Sequence, residues 1–341
     1  MPSIDKPAST KPLQLSGALD QFDSFQITPC IGTEYVDVDL ATWITGPDSD
    51  ALLRDLAITI GQRGVVFFRA QNGITGELQK ELTQRLGLLS GKPAHHGLSK
   101  HPLHLARGDD PELGKLDPGT QQSLYAPVNG VMPRQTSVNE WHTDGSYEPC
   151  PPDFTILRMT EVPPTGGDTL WASGYELYDR LTRPYQKFFE TLQWEQQVPS
   201  LQKACQTMKP IYDGERGAPE NVGLEFKATH PAVRTHPVTG WKSLFVSGLH
   251  TRRIKDVTET ESQEIFAKAL RLVTENHDLQ VRFRWNGPND MAIWDNRCVL
   301  HCPTQDHYGL GGRAGFRTMG IGEKPYFDPL SVSRKQALAV A

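Results

Sequence analysis

The chain lacks the features that would place it in a membrane, a disulfide scaffold or a nucleic-acid complex. No apolar run within its 341 residues approaches the roughly 20 needed to cross a bilayer. The first residues hold no apolar core of a secretory signal. Cysteine is scarce, with five residues at unpaired spacings, which fits a reducing, cytoplasmic setting. A basic face is missing too; the net charge is −5, which argues against nucleic acid as the main partner. There is neither an internal repeat nor a low-complexity linker. A homo-oligomer is compatible with these absences.

What is present suffices for a large core: 37% hydrophobic residues, with seven Trp and thirteen Phe. Residues 1–20, rich in Pro, Ser and Lys, read as a mobile arm. A helix is expected from Asp48 or Ser49 to about Ile60, with Leu52, Leu53, Leu56 and Ile60 as its apolar stripe. Val65-Val66-Phe67-Phe68 reads as a buried strand, and a second helix runs from about Thr75 to Leu86. Ser173 to about Leu192 reads as helix interrupted at Pro184, and residues 199–224 as irregular. Thr258 with Glu261 forms a capping box for a helix to about Asn276. Short strand-like runs occupy much of the rest: Phe154 to Met159, Thr169 to Ala172, Phe226 to Val233, Ser243 to Val246, and several between Val281 and Ile321. Many short strands with few helices predict a mainly β fold with peripheral helices, a double-stranded β-helix or jelly roll. It forms one domain over residues 21–330, followed by a tail at 331–341. Residues 88–137 show no sustained periodicity. They are either a solvated insertion or a lid that offers His95, His96, Tyr125, Asn129 and Arg134.

The chemistry starts at Trp141-His142-Thr143-Asp144. An imidazole and a carboxylate two residues apart point to one face of an extended chain. Two His and one carboxylate on one face of a divalent iron-type ion leave its other positions open. His142 and Asp144 supply two of the three, although the same pair also occurs as ordinary capping or surface residues. His301 is a candidate third ligand, and a structural histidine is the alternative. Arg313 and Arg317 follow it. Four residues apart on a strand, they share a face at a separation of roughly 13 Å, as two anion forks or as surface arginines on an edge strand. Cys298 and Cys302 bracket His301, a zinc reading that requires two further soft ligands.

Taken together, Trp141 to Asp144, Gly166-Gly167-Asp168-Thr169, His230-Pro231, His236-Pro237 to Val246, and Trp294-Asp295-Asn296-Arg297 to His301 with its two arginines resemble the taurine dioxygenase (TauD/TfdA) family, particularly fungal sulfonate dioxygenase-type members. The resemblance covers roughly residues 25–325. It implies an enzyme dependent on Fe(II), 2-oxoglutarate and O2 that hydroxylates a C–H bond and releases succinate and CO2. It further implies His142, Asp144 and His301 as iron ligands. Thr169 and Arg313 match the pair that holds the distal carboxylate of 2-oxoglutarate, and Arg317 matches the arginine for the primary substrate's anionic group. The chain departs from taurine-specific members where those hold their small substrate. His95 and His96 lie in the equivalent region, and Val138 stands where an Asn is expected. Relatives act on sulfonates, aryloxy acids, amino acids and purines. Two readings from other classes are a cupin-like binder of a metal or small acid and a zinc hydrolase with Glu140 as its base.

Overall fold

The structure, a computed structural model, describes residues 12–105, 108–117, 137–307 and 309–339. Its largest sheet has seven strands in the order Ser24–Gln26, Thr33–Tyr35, Val65–Phe68, Met291–Asp295, Pro152–Glu161, Ala314–Ile321 and Gly114–Leu116. Neighbours are antiparallel except Thr33–Tyr35 on Val65–Phe68. A three-stranded sheet in the order Gln280–Phe283, Thr169–Ser173, Val299–Pro303 forms the second layer.

The period of two along each central strand divides the core. Val65, Phe67, Leu157, Met159, Ala292 and Trp294 point to one side and pack with Trp171 and Phe283 of the second layer. Their neighbours Val66, Phe68, Ile156, Met291 and Ile293 point the other way, onto Leu52, Leu53, Leu56, Ile60, Leu82 and Leu86 of the helices Ser49–Arg63 and Gly76–Leu89. A strand covered on both faces has no polar side, which explains the uninterrupted Val65–Phe68 run. The strand-rich, two-layered architecture is that of a jelly roll with helices on its outer face, as expected.

Local signals account for the helices and for two departures. Thr258 and Glu261 form the capping box that starts Glu259–Glu275. Pro184 opens the helix Arg183–Phe189 instead of merely interrupting one, since proline's missing N–H is harmless in a first turn. Pro199 likewise opens Pro199–Thr207, in a stretch read as irregular. Residues 12–20 also differ from the expected free arm. The backbone amides of Ser16, Gly17 and Ala18 all donate to the carboxylate of Asp55, at 2.9 to 3.0 Å, and Leu19 is buried. In the tail, Ser333 caps the helix Arg334–Leu338, and Arg334 pairs with Glu176 at 2.8 Å.

Candidate active site

The site is built on one backbone bridge. His142 lies outside the named strands, yet its amide donates to the His301 carbonyl at 3.0 Å, and the His301 amide donates back at 2.7 Å. This reciprocal antiparallel pair sets the two side chains on one side, with ring centroids 4.2 Å apart. Asp144, two residues on, points the same way. One donor atom from each of the three falls within 4.8 Å of the others. Each imidazole Nε2 stands 3.9 Å from a different oxygen of Asp144.

Hydrogen bonds orient these groups. His142 Nδ1 donates to the Glu140 carbonyl at 2.7 Å, which leaves Nε2 with the lone pair. Thr155 Oγ1 donates to Asp144 Oδ2 at 3.2 Å and accepts from Asn296 Nδ2 at 2.7 Å. Asn296 Oδ1 accepts from the Asp144 amide at 3.1 Å and from Trp294 Nε1 at 3.1 Å. His301 Nδ1 has no hydrogen-bond partner among the described residues. Strand pairing and the Trp294 ring, 4.9 Å away, orient it instead.

Charge follows from burial and neighbours. Burial lowers the pKa of His142, and burial together with the proximity of His142 takes His301 down to about 3, so both imidazoles are neutral at neutral pH. Burial alone would raise Asp144, but Arg317, His301, His142 and the Thr155 hydrogen bond overcome it and hold the carboxyl at about 2. Two neutral imidazoles and one ionised carboxylate on one face are a donor set that fits Fe(II).

The two arginines have different partners. Arg317 lies in the strand Ala314–Ile321, opposite Leu157, and its Nη1 donates to Asp144 Oδ1 at 2.9 Å. Its Nε and Nη2 have no acceptor among the described residues, and its side chain is 28% exposed. Arg313 precedes that strand, and the register shifts between Ala314 and Gly315, so simple alternation does not relate the pair. Arg313 Nε donates to the Gly167 carbonyl at 2.7 Å and Nη2 to Thr169 Oγ1 at 3.3 Å. The Thr169 hydroxyl accepts a second hydrogen bond from Trp285 Nε1 at 3.2 Å. Thr169 pairs with Pro303, two residues from His301 on the neighbouring strand, a step of roughly 7 Å.

Among the described residues, no hydrogen bond or ion pair joins His95, His96 or Val138 to the triad. His95 lines a shallow surface cavity with Leu98, Lys100, Glu112, Tyr212 and Glu215. His96 is buried and grouped with Cys150 and Glu220. Val138 begins the turn Val138–Glu140 ahead of His142 and packs against the main core. Tyr125, Asn129 and Arg134 fall outside the described residues. Cys298 groups with His236 and Asp295 rather than with His301, and all five cysteines are free and buried.

Sequence reasoning missed Thr155, Asn296 and Trp285 as supports of the site, and also His250, whose ring centroid lies 5.8 Å from that of His142. Asn296 lies inside a motif that was visible. Thr155 and Trp285 carry no local signal: strand pairing places Thr155, and Trp285 follows the strand whose Phe283 pairs with Thr169.

Known proteins agree with this architecture. The family model for taurine catabolism dioxygenase TauD, TfdA matches residues 23–319. The alpha-ketoglutarate-dependent dioxygenase oryG of Aspergillus oryzae is 69% identical over 331 residues, covering 97% of each chain. The alpha-ketoglutarate-dependent sulfonate dioxygenase of Saccharomyces cerevisiae is 33% identical, covering 89% of this chain and 68% of its own. The crystal structure of a taurine dioxygenase from Burkholderia xenovorans superposes with a TM-score of 0.67 at 26% identity, covering 90% of this chain and 91% of that one. The binder and hydrolase readings give way: the chain belongs to the taurine catabolism dioxygenase TauD, TfdA family and is an Fe(II)- and 2-oxoglutarate-dependent dioxygenase that uses O2.

Proposed function

We propose that this enzyme hydroxylates a C–H bond of a small substrate bearing a sulfonate, carboxylate or similarly acidic group. His142, Asp144 and His301 hold the iron, Arg313 and Thr169 hold the distal carboxylate of 2-oxoglutarate, and Arg317 holds the substrate's anion. The enzyme works as one jelly-roll domain over residues 21–330 in the cytoplasm; among the described residues no helix is long and apolar enough to cross a membrane. When bound, iron supplies the oxidising chemistry with O2, at the expense of 2-oxoglutarate, which leaves as succinate and CO2.

The residues of the chain bind and orient. Glu140 and the His142–His301 bridge aim the imidazoles, while Thr155 and Asn296 keep the carboxylate in place. The Thr169 hydroxyl accepts from Arg313 and Trp285, so both its lone pairs are used and its own proton remains to donate. A carboxylate laid against Thr169 and Arg313 takes that proton's hydrogen bond, and this fixes which end of the keto acid faces the metal. Trp171, Trp294 and Phe67 surround the interior with buried apolar surface and exclude water.

The observation that carries the substrate class is Arg317. It reaches the triad carboxylate itself, is partly exposed and retains unfilled donors. A guanidinium placed there recognises an anion. The sulfonate activity in the yeast relative's name supports the same class. The test is succinate release across a panel of small sulfonates and carboxylates with wild type and Arg317→Ala. The variant is expected to raise KM for the preferred substrate by about 2 kcal/mol or more and to leave KM for 2-oxoglutarate nearly unchanged. A preferred substrate without an acidic group, or a loss confined to 2-oxoglutarate, overturns the assignment.

A further inference from the structure

We propose that His96, Cys150 and Glu220 form a second divalent-cation site, separate from the iron triad and suited to zinc. The three come from different segments: the loop after the helix Gly76–Leu89, the loop between Asp144 and the strand Pro152–Glu161, and the loop before the strand Lys227–Pro231. One imidazole nitrogen, the sulfur and a carboxylate oxygen lie within 4.8 Å of one another. His96 and Cys150 are 3% and 2% exposed, while the Glu220 side chain is half-exposed.

The hydrogen-bond pattern gives the cluster its direction. His96 Nδ1 donates to the Gly322 carbonyl at 2.9 Å, so Nε2 carries the lone pair. It lies 3.7 Å from Glu220 Oε2. That is beyond hydrogen-bonding distance, yet close to the roughly 3.3 Å between two ligands on a tetrahedral ion with bonds of about 2.0 Å. Thiolate, imidazole and carboxylate together are a zinc-type set, whereas the iron triad offers no sulfur. The exposed side at Glu220 admits the ion and a water as fourth ligand.

The supports of the cluster do not depend on an ion. The Asn221 side chain accepts from the Cys150 amide at 2.9 Å and donates to the Cys150 carbonyl at 2.7 Å, which ties Glu220's loop to the cysteine. Arg216 clasps Glu148 at 2.6 and 2.7 Å. The Gly97 amide donates to the Gly217 carbonyl at 2.7 Å. Gly217, at φ +88°, allows that approach, since a Cβ there would come within 2.4 Å of the Leu98 carbonyl oxygen. The ligands are thus held in place beforehand, and ion binding stabilises the fold by mass action without entering the reaction. Burial and then Glu220 push the Cys150 thiol up to about 12, so binding displaces one proton from sulfur, which the solvent takes up.

Titration of the full-length wild-type chain with Co(II) tests this directly. Because the iron triad has no thiolate, a near-ultraviolet sulfur-to-cobalt charge-transfer band cannot come from it, and loss of the band in Cys150→Ser assigns it to this site rather than to the His236, Asp295 and Cys298 group. The band is expected in wild type and absent in Cys150→Ser. Glu220→Gln, at a half-exposed position that leaves folding intact, should weaken cobalt binding by about tenfold or more, since even outer partners of metal ligands contribute that much. It should keep wild-type succinate release and show a smaller rise in Tm with zinc than the wild type, the remainder being the share that the intact His142, Asp144 and His301 group contributes. No thiolate band in wild type, or a band that survives in Cys150→Ser, overturns the proposal.

Discussion

Two buried groups of histidine and aspartate lie at opposite ends of the Trp294–His301 segment, and they have opposite designs. In the His236, Asp295 and Cys298 group every polar atom of the ring is used. His236 Nε2 donates to Asp295 Oδ2 at 2.9 Å, and Nδ1 accepts from the amides of Val238 and Thr239. Arg297 neutralises Asp295 through two bonds at 2.7 and 2.8 Å, and His236 and Asp295 have no exposure at all. Burial would raise Asp295, but Arg297 and His236 hold it well below the carboxylate range. In the His142, Asp144 and His301 group both imidazoles keep Nε2 uncommitted, and His142 is 15% exposed. The two share a histidine and an aspartate, with a cysteine in one where the other has a second histidine. What separates scaffold from site is whether the lone pairs are already used.

The sharpest way to break this contrast is to remove ligands from the open group. His142→Ala, Asp144→Ala and His301→Ala are each expected to abolish turnover and Fe(II) binding while the thermal midpoint changes little. The measurements are anaerobic formation of the visible charge-transfer band with Fe(II) and 2-oxoglutarate, and a melting curve. A variant with wild-type iron affinity removes its residue from the ligand set.

The closed group should respond the other way. Asp295→Asn leaves Arg297 buried without its principal partner, a loss of about 3–5 kcal/mol in stability. Chemical denaturation reads this as a lower midpoint, and the fraction that remains folded should still bind Fe(II). Full stability together with lost iron affinity would move Asp295 out of the scaffold and into the site.

The same contrast explains what the sequence made legible. The His142-x-Asp144 pair was readable because a period of two is a local property. The Thr258–Glu261 capping box was readable for the same reason. His301 was reachable only through the order of its motifs, since the bridge to His142 joins residues 159 apart. Thr155 acts from a paired strand and Asn296 and Trp285 from just beyond strand ends, and the register that brings them to the site is not written in their immediate neighbours. The Asp55 carboxylate that gathers residues 16–18 is another such case: within a helix it looks like one more polar residue. His236 illustrates the converse, because it was prominent in the motif yet belongs to the scaffold.

The smallest effect concerns Thr169, where one hydroxyl serves three purposes. It accepts from Arg313 Nη2 and Trp285 Nε1, so it positions the arginine and satisfies a buried indole before any ligand arrives. Its remaining proton is the group assigned to 2-oxoglutarate. Arg313→Ala removes a charge from that contact and should cost about 2–5 kcal/mol in the apparent requirement for the keto acid. Thr169→Val keeps the shape and loses only the hydroxyl, so the expected rise in KM for 2-oxoglutarate corresponds to about 1 kcal/mol, roughly fivefold. Thr169→Ser keeps the donor and both lone pairs and should return KM to near the wild-type value. Loss of the acceptor for the Trp285 indole lowers the melting midpoint of Thr169→Val in either case, so the readings part at KM, which a merely structural role leaves untouched. If Ser fails to rescue while stability is normal, the methyl group rather than the hydroxyl is what the keto acid senses, and the clamp reduces to Arg313 alone.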